Sequence, residues 1–537
     1  MAEISQLTQE LIQRYQSWYQ AIQRKETVST IHVDEVASKV AAFYEKLRGI
    51  IDWREEHLMK RAAIERNLRR RLLLAKDGKS VAEPLVLELI RGGHFPNDRI
   101  EESKILVVEK ILDKYIYIAG NAPSSPEKQK IQLYNWMLSI AACETEEVLS
   151  PPYREKALIE YMMESIADKV KVQQGTISFS RISDEEKNTQ IYIAIHRALF
   201  KLDSPIITYH LLKRRYPQWS ELPIAQLHEI TQNIYSVWNE LEKELKHPLA
   251  DKFYNLCERC DTPYLLLGDV LSQDNPADAQ KKISEPEVLD NLIRGAYKKR
   301  LSTLKSRLYR AAIYATLSVF LTNIFSLLVA EIPLAKLITG SFSPLTIAVD
   351  IGGPTFLMFL LMITVKLPSK SNLEIVIMET MKIVYKRREE GSEDVYEIKV
   401  PKRRGMVVKF FVSLLYLIGA LISVGAIVII FQLANFPPTS IVINFVFVAL
   451  IAFTGLAVRS RAEELTVEEK KAGFFGFILD MIFLPLVGVG RWLSNKWKKY
   501  NALAIIFSAL VDMPFSIFTE FLEQWRYFLK EKKEEIH

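Results

Sequence analysis

Residues 311–330 read AAIYATLSVFLTNIFSLLVA, an uninterrupted run without a single charge. A bilayer core of about 30 Å is crossed by about 20 apolar residues wound as a helix. A helix is required because the hydrocarbon offers no partner to backbone N–H and C=O groups. Outward from this stretch the chain changes character. Before it, charges occur throughout; after it, long segments have none. Averaged over 537 residues the composition is 49% hydrophobic and 25% charged, ordinary for a soluble protein. The division, not the average, predicts the fold class: all-α, with a multi-helix cytosolic domain followed by a polytopic α-helical membrane domain.

Three more runs extend the pattern. Residues 343–365 are apolar except for Asp350, and 410–436 and 440–458 carry no charge. Pro437-Pro438 separates the last two and suits a turn between antiparallel helices. Basic residues flank these runs mostly on one side, and the intervening loops are nearly bare. Lys298, Lys299, Arg300, Lys305, Arg307 and Arg310 precede the first, the 366–409 segment is rich in Lys and Arg, and Arg459 and Arg461 follow the fourth. Positive charge stays on the cytosolic side, so the pattern predicts four spans with a cytosolic N-terminus. The polar start, Met1 to Gln6, lacks the basic and apolar regions of a signal peptide.

Two later stretches, 472–490 and 502–521, read as interfacial or re-entrant segments. As spans five and six they would carry Arg491, Lys496, Lys498 and Lys499 outside. The second is also amphipathic: Asp512, Ser516, Thr519 and Glu523 share one stripe, and Met513, Ile517 and Phe521 another. Six spans remain the alternative. Both versions keep N- and C-termini in the cytosol and the chain in the inner membrane. The expected organisation is a helical domain at 1–283, a strut at 284–310, a hairpin at 311–366, a basic loop at 367–409, a second hairpin at 410–458 and membrane-associated segments at 459–537.

The soluble half reads as helices near 102–118, 130–147, 155–171 and 222–246. Ser183-Asp184-Glu185-Glu186 is a capping box for another. Apolar residues from Val36 to Leu72 predict a long helix or a local coiled-coil hairpin. Thr176–Ile182 and Val395–Val400 read as strands, and Asp274–Asp278 as a loop. Ser284-Glu285-Pro286-Glu287 starts a helix with no stop signal before about Ala330, which predicts one continuous strut into the bilayer.

Three aspartates in apolar stretches are the candidates for chemistry. Asp350 is followed by Gly352, Gly353 and Pro354, and Asp480 and Asp512 also lie near prolines. A carboxylate within a bilayer is costly and marks an ion, proton or partner site. The competing reading for Asp480 is a structural pair, and for Asp512 exposure on the polar stripe. Arg66, Arg69, Arg70 and Arg71 form a basic surface that suits anionic lipid head groups, though a solvated helix end explains it equally; nucleic acid is disfavoured because no recognition module surrounds it. Cys257-Glu258-Arg259-Cys260 lacks a second ligand pair for zinc and reads as core, so no metal and no cofactor are expected. No catalytic motif is present. The leading expectation is a non-enzymatic scaffold or regulator that binds a cytosolic protein, or itself, at the bilayer. The rival is a small-solute or ion transporter or channel using Asp350, and a membrane enzyme stands third.

Overall fold

The computed structural model describes residues 3–22, 29–33, 56–72, 77–173, 182–273, 276–333, 344–365, 367–385, 395–399, 406–433, 436, 438–467 and 483–494, with scattered positions from 518 to 532. Its elements are α1 (Gln6–Ile22), α2 (Glu56–Leu72), α3 (Lys79–Arg91), α4 (Ser103–Asn121), α5 (Glu127–Leu149), α6 (Tyr153–Ile166), β1 (Val170–Gln173), α7 (Asp184–Phe200) and α8 (Ser204–Arg215). Then follow α9 (Ile224–Gln232), α10 (Ile234–Leu245), α11 (Ala250–Gln273), α12 (Pro276–Ile283) and α13 (Pro286–Ser326). The remainder is α14 (Pro344–Ile363), α15 (Lys370–Val384), β2 (Tyr396–Lys399), α16 (Met406–Leu433) and α17 (Pro438–Ala462). Residues 483–494 form a further helix. The all-α class holds, with one short pair of strands as the exception.

Local signals explain the boundaries. The Ser183 hydroxyl accepts from Glu186 N at 3.1 Å and caps α7. That helix ends at Lys201, whose left-handed backbone (φ 50°) turns the chain. Asp203 caps α8 through Ile206 N, with Pro205 in its first turn. Pro286 opens α13, which runs unbroken for 41 residues, about 60 Å at 1.5 Å per residue. The expected strut is therefore one helix, and Leu327–Glu331 extends it as a wide π-helical turn.

Two hydrophobic cores organise the helices outside the apolar runs. One is built on α1, α6, α7, α11, α12, the first half of α13 and α15, with Leu11, Met162, Phe253, Leu266, Ile293 and Val376 fully buried. The other is built on α2 to α5 and α8 to α10, around Leu68, Leu85, Leu112, Ile140 and Leu212. Helix α7 is the wall between them: Ile191 and Ile195 face the first core, Ile193 the second. The single 1–283 body expected from sequence is thus two layers, and the first recruits chain from far beyond residue 283.

That recruitment is the main departure from expectation. The segment read as a basic loop contains α15 and β2. Strand β2 pairs in parallel with β1, Tyr396 opposite Val170. Asn372 is fully buried; its amide donates to Tyr297 Oη at 3.1 Å and Leu465 O at 2.7 Å, and its carbonyl accepts from Val467 N at 2.8 Å. Ser5 N donates to Val384 O at 2.9 Å, and Tyr385 Oη to Ile283 O at 2.5 Å. Arg294 clamps Glu374 with both guanidinium nitrogens, at 2.7 and 2.9 Å. Smaller departures are local. The region 222–246 is split at Asn233 into α9 and α10. Helix α12 begins at Pro276, inside the expected loop. A strand not expected from sequence forms at Val170–Gln173. Most of 176–182, the 36–55 part of the expected coiled coil, and residues 502–517 lie outside the described residues.

Among the described residues, three helical stretches are long and apolar enough to cross a membrane: Pro286–Val329, Met406–Leu433 and Ser440–Ala462. A shorter apolar stretch, Ile347–Ile363, belongs to α14. On α16 only Gly419, Ser423 and Ile427, spaced by four, are buried. Phe410, Leu421, Ile429 and Leu433 stand exposed, an apolar surface that water does not tolerate on this scale. The 483–494 helix packs on α17: a Cβ at Gly490 would lie 2.2 Å from Ala449 O, so only glycine permits the approach.

Candidate functional site

Three apolar helices, α13, α14 and α17, carry buried polar groups. Asp350 of α14 is 2% exposed and accepts a hydrogen bond from the Asn444 amide of α17. The same amide donates to Ser440 O at 3.1 Å, so its nitrogen joins two acceptors. Pro354, one turn on, is buried, whereas Gly352 and Gly353 face outward with open space where a Cβ would stand. The helix is not interrupted at Gly352-Gly353-Pro354, and α14 continues to Ile363.

Asn323 of α13 is also 2% exposed, and neither amide atom has a hydrogen-bond partner. Helices α13 and α14 are antiparallel, and Ala315 and Met358 share one packed cluster. Eight residues on from Ala315 and eight back from Met358 bring Asn323 and Asp350 to one level. The fully buried Ser440 hydroxyl is unpartnered as well. Hydroxyl, amide and carboxylate oxygens in a dry setting can hold a proton or a small cation. Asp480 and Asp512, the other two candidates, lie outside the described residues.

A second polar enclosure lies between the two soluble layers. It is a cavity of about 420 Å³ lined by Tyr15, Trp18, Lys60, Glu146, Glu155 and His210, among others. Burial pushes the Glu146 carboxyl up to about 7 and that of Glu155 up as well, against the pull of Lys60. His196 Nδ1 lies 2.8 Å from Tyr192 O and must carry the proton there. Its Nε2 therefore accepts from His210 Nδ1, at 2.8 Å. Burial drives His196 down to about 3 and His210 to about 4, so both are neutral at ordinary pH. Sequence reasoning missed this enclosure because its residues come from eight separate helices and share no spacing.

The basic arginines are engaged within the protein. Arg69 pairs with Glu65 at 3.1 Å, Arg70 with Glu88 and with Asn67 Oδ1 at 2.8 Å, and Arg71 with Glu88 at 2.8 Å. Arg66 also has a partner. Their geometry locks α2 to α3. Cys257 is buried and Cys260 half-buried, both as free thiols. Burial raises both, Cys260 to about 11, so neither is a ready thiolate. No group of three or more His, Cys, Asp and Glu side chains arranged to hold a metal occurs among the described residues.

No protein-family model matches the chain, and neither curated proteins nor solved structures give a significant match. The fold and its polar enclosures therefore stand on their own chemistry. They define a helical protein with three helices long and apolar enough to cross a membrane and a two-layer helical body.

Proposed function

We infer that this protein is a non-enzymatic scaffold or regulator anchored in the inner membrane, its soluble body and termini in the cytosol. The observation that carries the reading is the knot at Asn372, which ties α13, α15 and the chain after α17 together. Ile4, Leu11, Leu158, Phe253, Leu304, Val376, Ile398 and Leu465 contribute to one core, which is best accommodated in one compartment. Between those parts the chain leaves and returns twice, through α13 with α14 and α16 with α17. Basic residues at each junction put that compartment on the cytosolic side. A body knotted to both hairpins and fed by a 41-residue strut moves with them, which suits holding a cytosolic partner at the bilayer and relaying its state. Proximity labelling from the intact chain is expected to recover a reproducible partner set that depends on residues 1–283. A set unchanged by deleting them would remove the reading.

One observation favours a second reading, a small-solute or ion transporter or channel. Asp350 and Asn444 are bonded inside the apolar bundle, level with an unpartnered Asn323. Flux in proteoliposomes that disappears in Asp350→Asn would support it, and flux indifferent to that change would end it.

A further inference from the structure

Helix α13 carries Lys299, Arg300, Thr303 and Arg307 along one face, at spacings of three and four. That face lines an open pocket of about 610 Å³ walled by Arg154 of α6, Asp269 of α11 and Glu464 of the turn after α17. Four cations meet two carboxylates there. Arg300 takes Asp269 as a two-pronged pair, one arm at 2.9 Å. Arg154 lies with its guanidinium over the Trp18 ring, 4.6 Å from the centroid, a contact that leaves N–H donors at its edge. Lys299 and Arg307 are exposed. The pocket therefore has surplus positive charge and a fork of donors, and it asks for an anion.

We propose that this pocket binds a phosphate-bearing anion, carried by a lipid head group or free in solution. Its location favours the first source. Arg307 stands four residues before Ala311, where the uncharged run begins, which is about 6 Å along a helix. The head-group layer beyond the hydrocarbon is about 5–8 Å deep. Arg307 thus sits at head-group depth, with Arg300 and Lys299 about two turns below it. The proposal rests on the membrane reading of α13 only for the source of the phosphate. Arg154, Arg300 and Asp269 also line the inner cavity that holds Glu146 and His210. A phosphate that draws Arg300 from Asp269 alters both enclosures, which gives the anchored body a means of sensing its membrane.

The test uses the full-length protein in neutral detergent, titrated with short-chain phosphatidylglycerol, short-chain phosphatidylcholine and inorganic phosphate. Phosphatidylglycerol is expected to bind and the zwitterionic lipid to bind far more weakly. Arg307→Gln and Lys299→Gln should each weaken binding about five-fold, while Arg307→Lys keeps most of it. Lys298→Gln is the control, an exposed lysine on the same helix outside the pocket, and should leave binding unchanged. Matching thermal unfolding of the variants separates lost binding from lost fold. Inorganic phosphate that binds as well as the lipid, with the same dependence on Arg307 and Lys299, supports the phosphate site and moves its source to solution. Equal losses for Lys298→Gln and Lys299→Gln, or affinity indifferent to Arg307, would reduce the pocket to diffuse surface charge and overturn the proposal.

Discussion

Glu144 in the soluble body and Asp350 among the apolar helices are both carboxylates buried against a nitrogen donor, yet their surroundings differ. Lys114 Nζ reaches both Glu144 oxygens, at 2.7 and 2.8 Å, and Trp219 O at 2.7 Å. Tyr115 Oη donates to the same carboxylate at 2.7 Å, and Trp219 Nε1 reaches it at 3.2 Å. The ammonium also lies over the Tyr115 and Trp219 rings. Around Asp350 the amide of Asn444 is engaged, but the nearby Asn323 amide and Ser440 hydroxyl are not. A completed network holds a core in one arrangement, whereas unanswered buried groups cost stability and point to a ligand. The first cluster is architecture; the second is the better place to look for function.

The largest expected effect breaks the completed cluster. Glu144→Ala strands the Lys114 ammonium and should destabilise the soluble body by about 3–5 kcal/mol, read by thermal unfolding of the full chain. A loss below about 1 kcal/mol would mean that the network is redundant and the contrast with Asp350 empty. Next comes Asn372→Ala, which removes three hydrogen bonds and leaves buried partners behind, at about 2–4 kcal/mol. Faster amide exchange in α15 and at 463–467, with the second layer unchanged, would localise the damage. Uniform exchange would show that this knot does not join hairpins to body.

The pH response sharpens the comparison further. His196 and His210 have folded values below the ordinary 6.5, so the unfolded chain binds more protons in acid. Their contribution is complete above pH 6.5 and is lost as pH falls through 4 toward 3. Glu146 runs the other way. Its folded value of about 7 lies above the ordinary 4.5, so its contribution is complete below 4.5 and is lost as pH rises through 7. His210→Gln should flatten the acid limb of a stability–pH curve and Glu146→Gln the alkaline limb, the latter by about 1–3 kcal/mol. Curves that keep both limbs in the variants would assign them elsewhere. The smallest effect belongs to the unfinished cluster. Asn323→Leu removes polar atoms that have no partner and should change stability by less than about 1 kcal/mol in either direction. A loss of several kcal/mol would reveal a structural partner and make the two clusters alike.

The apolar helices were legible because a run such as 311–330 needs only composition to be recognised. The strut was legible because Pro286 starts it and nothing stops it. Asp350 stood out as a charge in an apolar run. Asn444 and Asn323, which give it a setting, did not: a lone amide in such a run carries no periodic signal. Arg69, Arg70 and Arg71 read as a basic surface; the Glu65–Arg69 pair is one turn apart on α2, but only the α2–α3 packing brings Arg70 and Arg71 to Glu88. The Lys299 to Arg307 face read as flanking charge; Arg154 and Asp269 make it a pocket from positions 30 or more residues away.

By itself, the sequence determined that this chain is helical, that apolar runs of bilayer length follow a charged region, and which side of those runs is basic. These are local properties, set by hydropathy and capping within one turn or one span. Only the tertiary structure decided that α15, β2 and 465–467 join the core built on α1, α6, α7 and α11, that the helical body has two layers, and which buried polar groups are answered. Those outcomes depend on pairings such as Val170 with Tyr396 and Asn372 with Leu465. Contacts between distant residues are selected by packing the whole chain, and no stretch of sequence carries them alone.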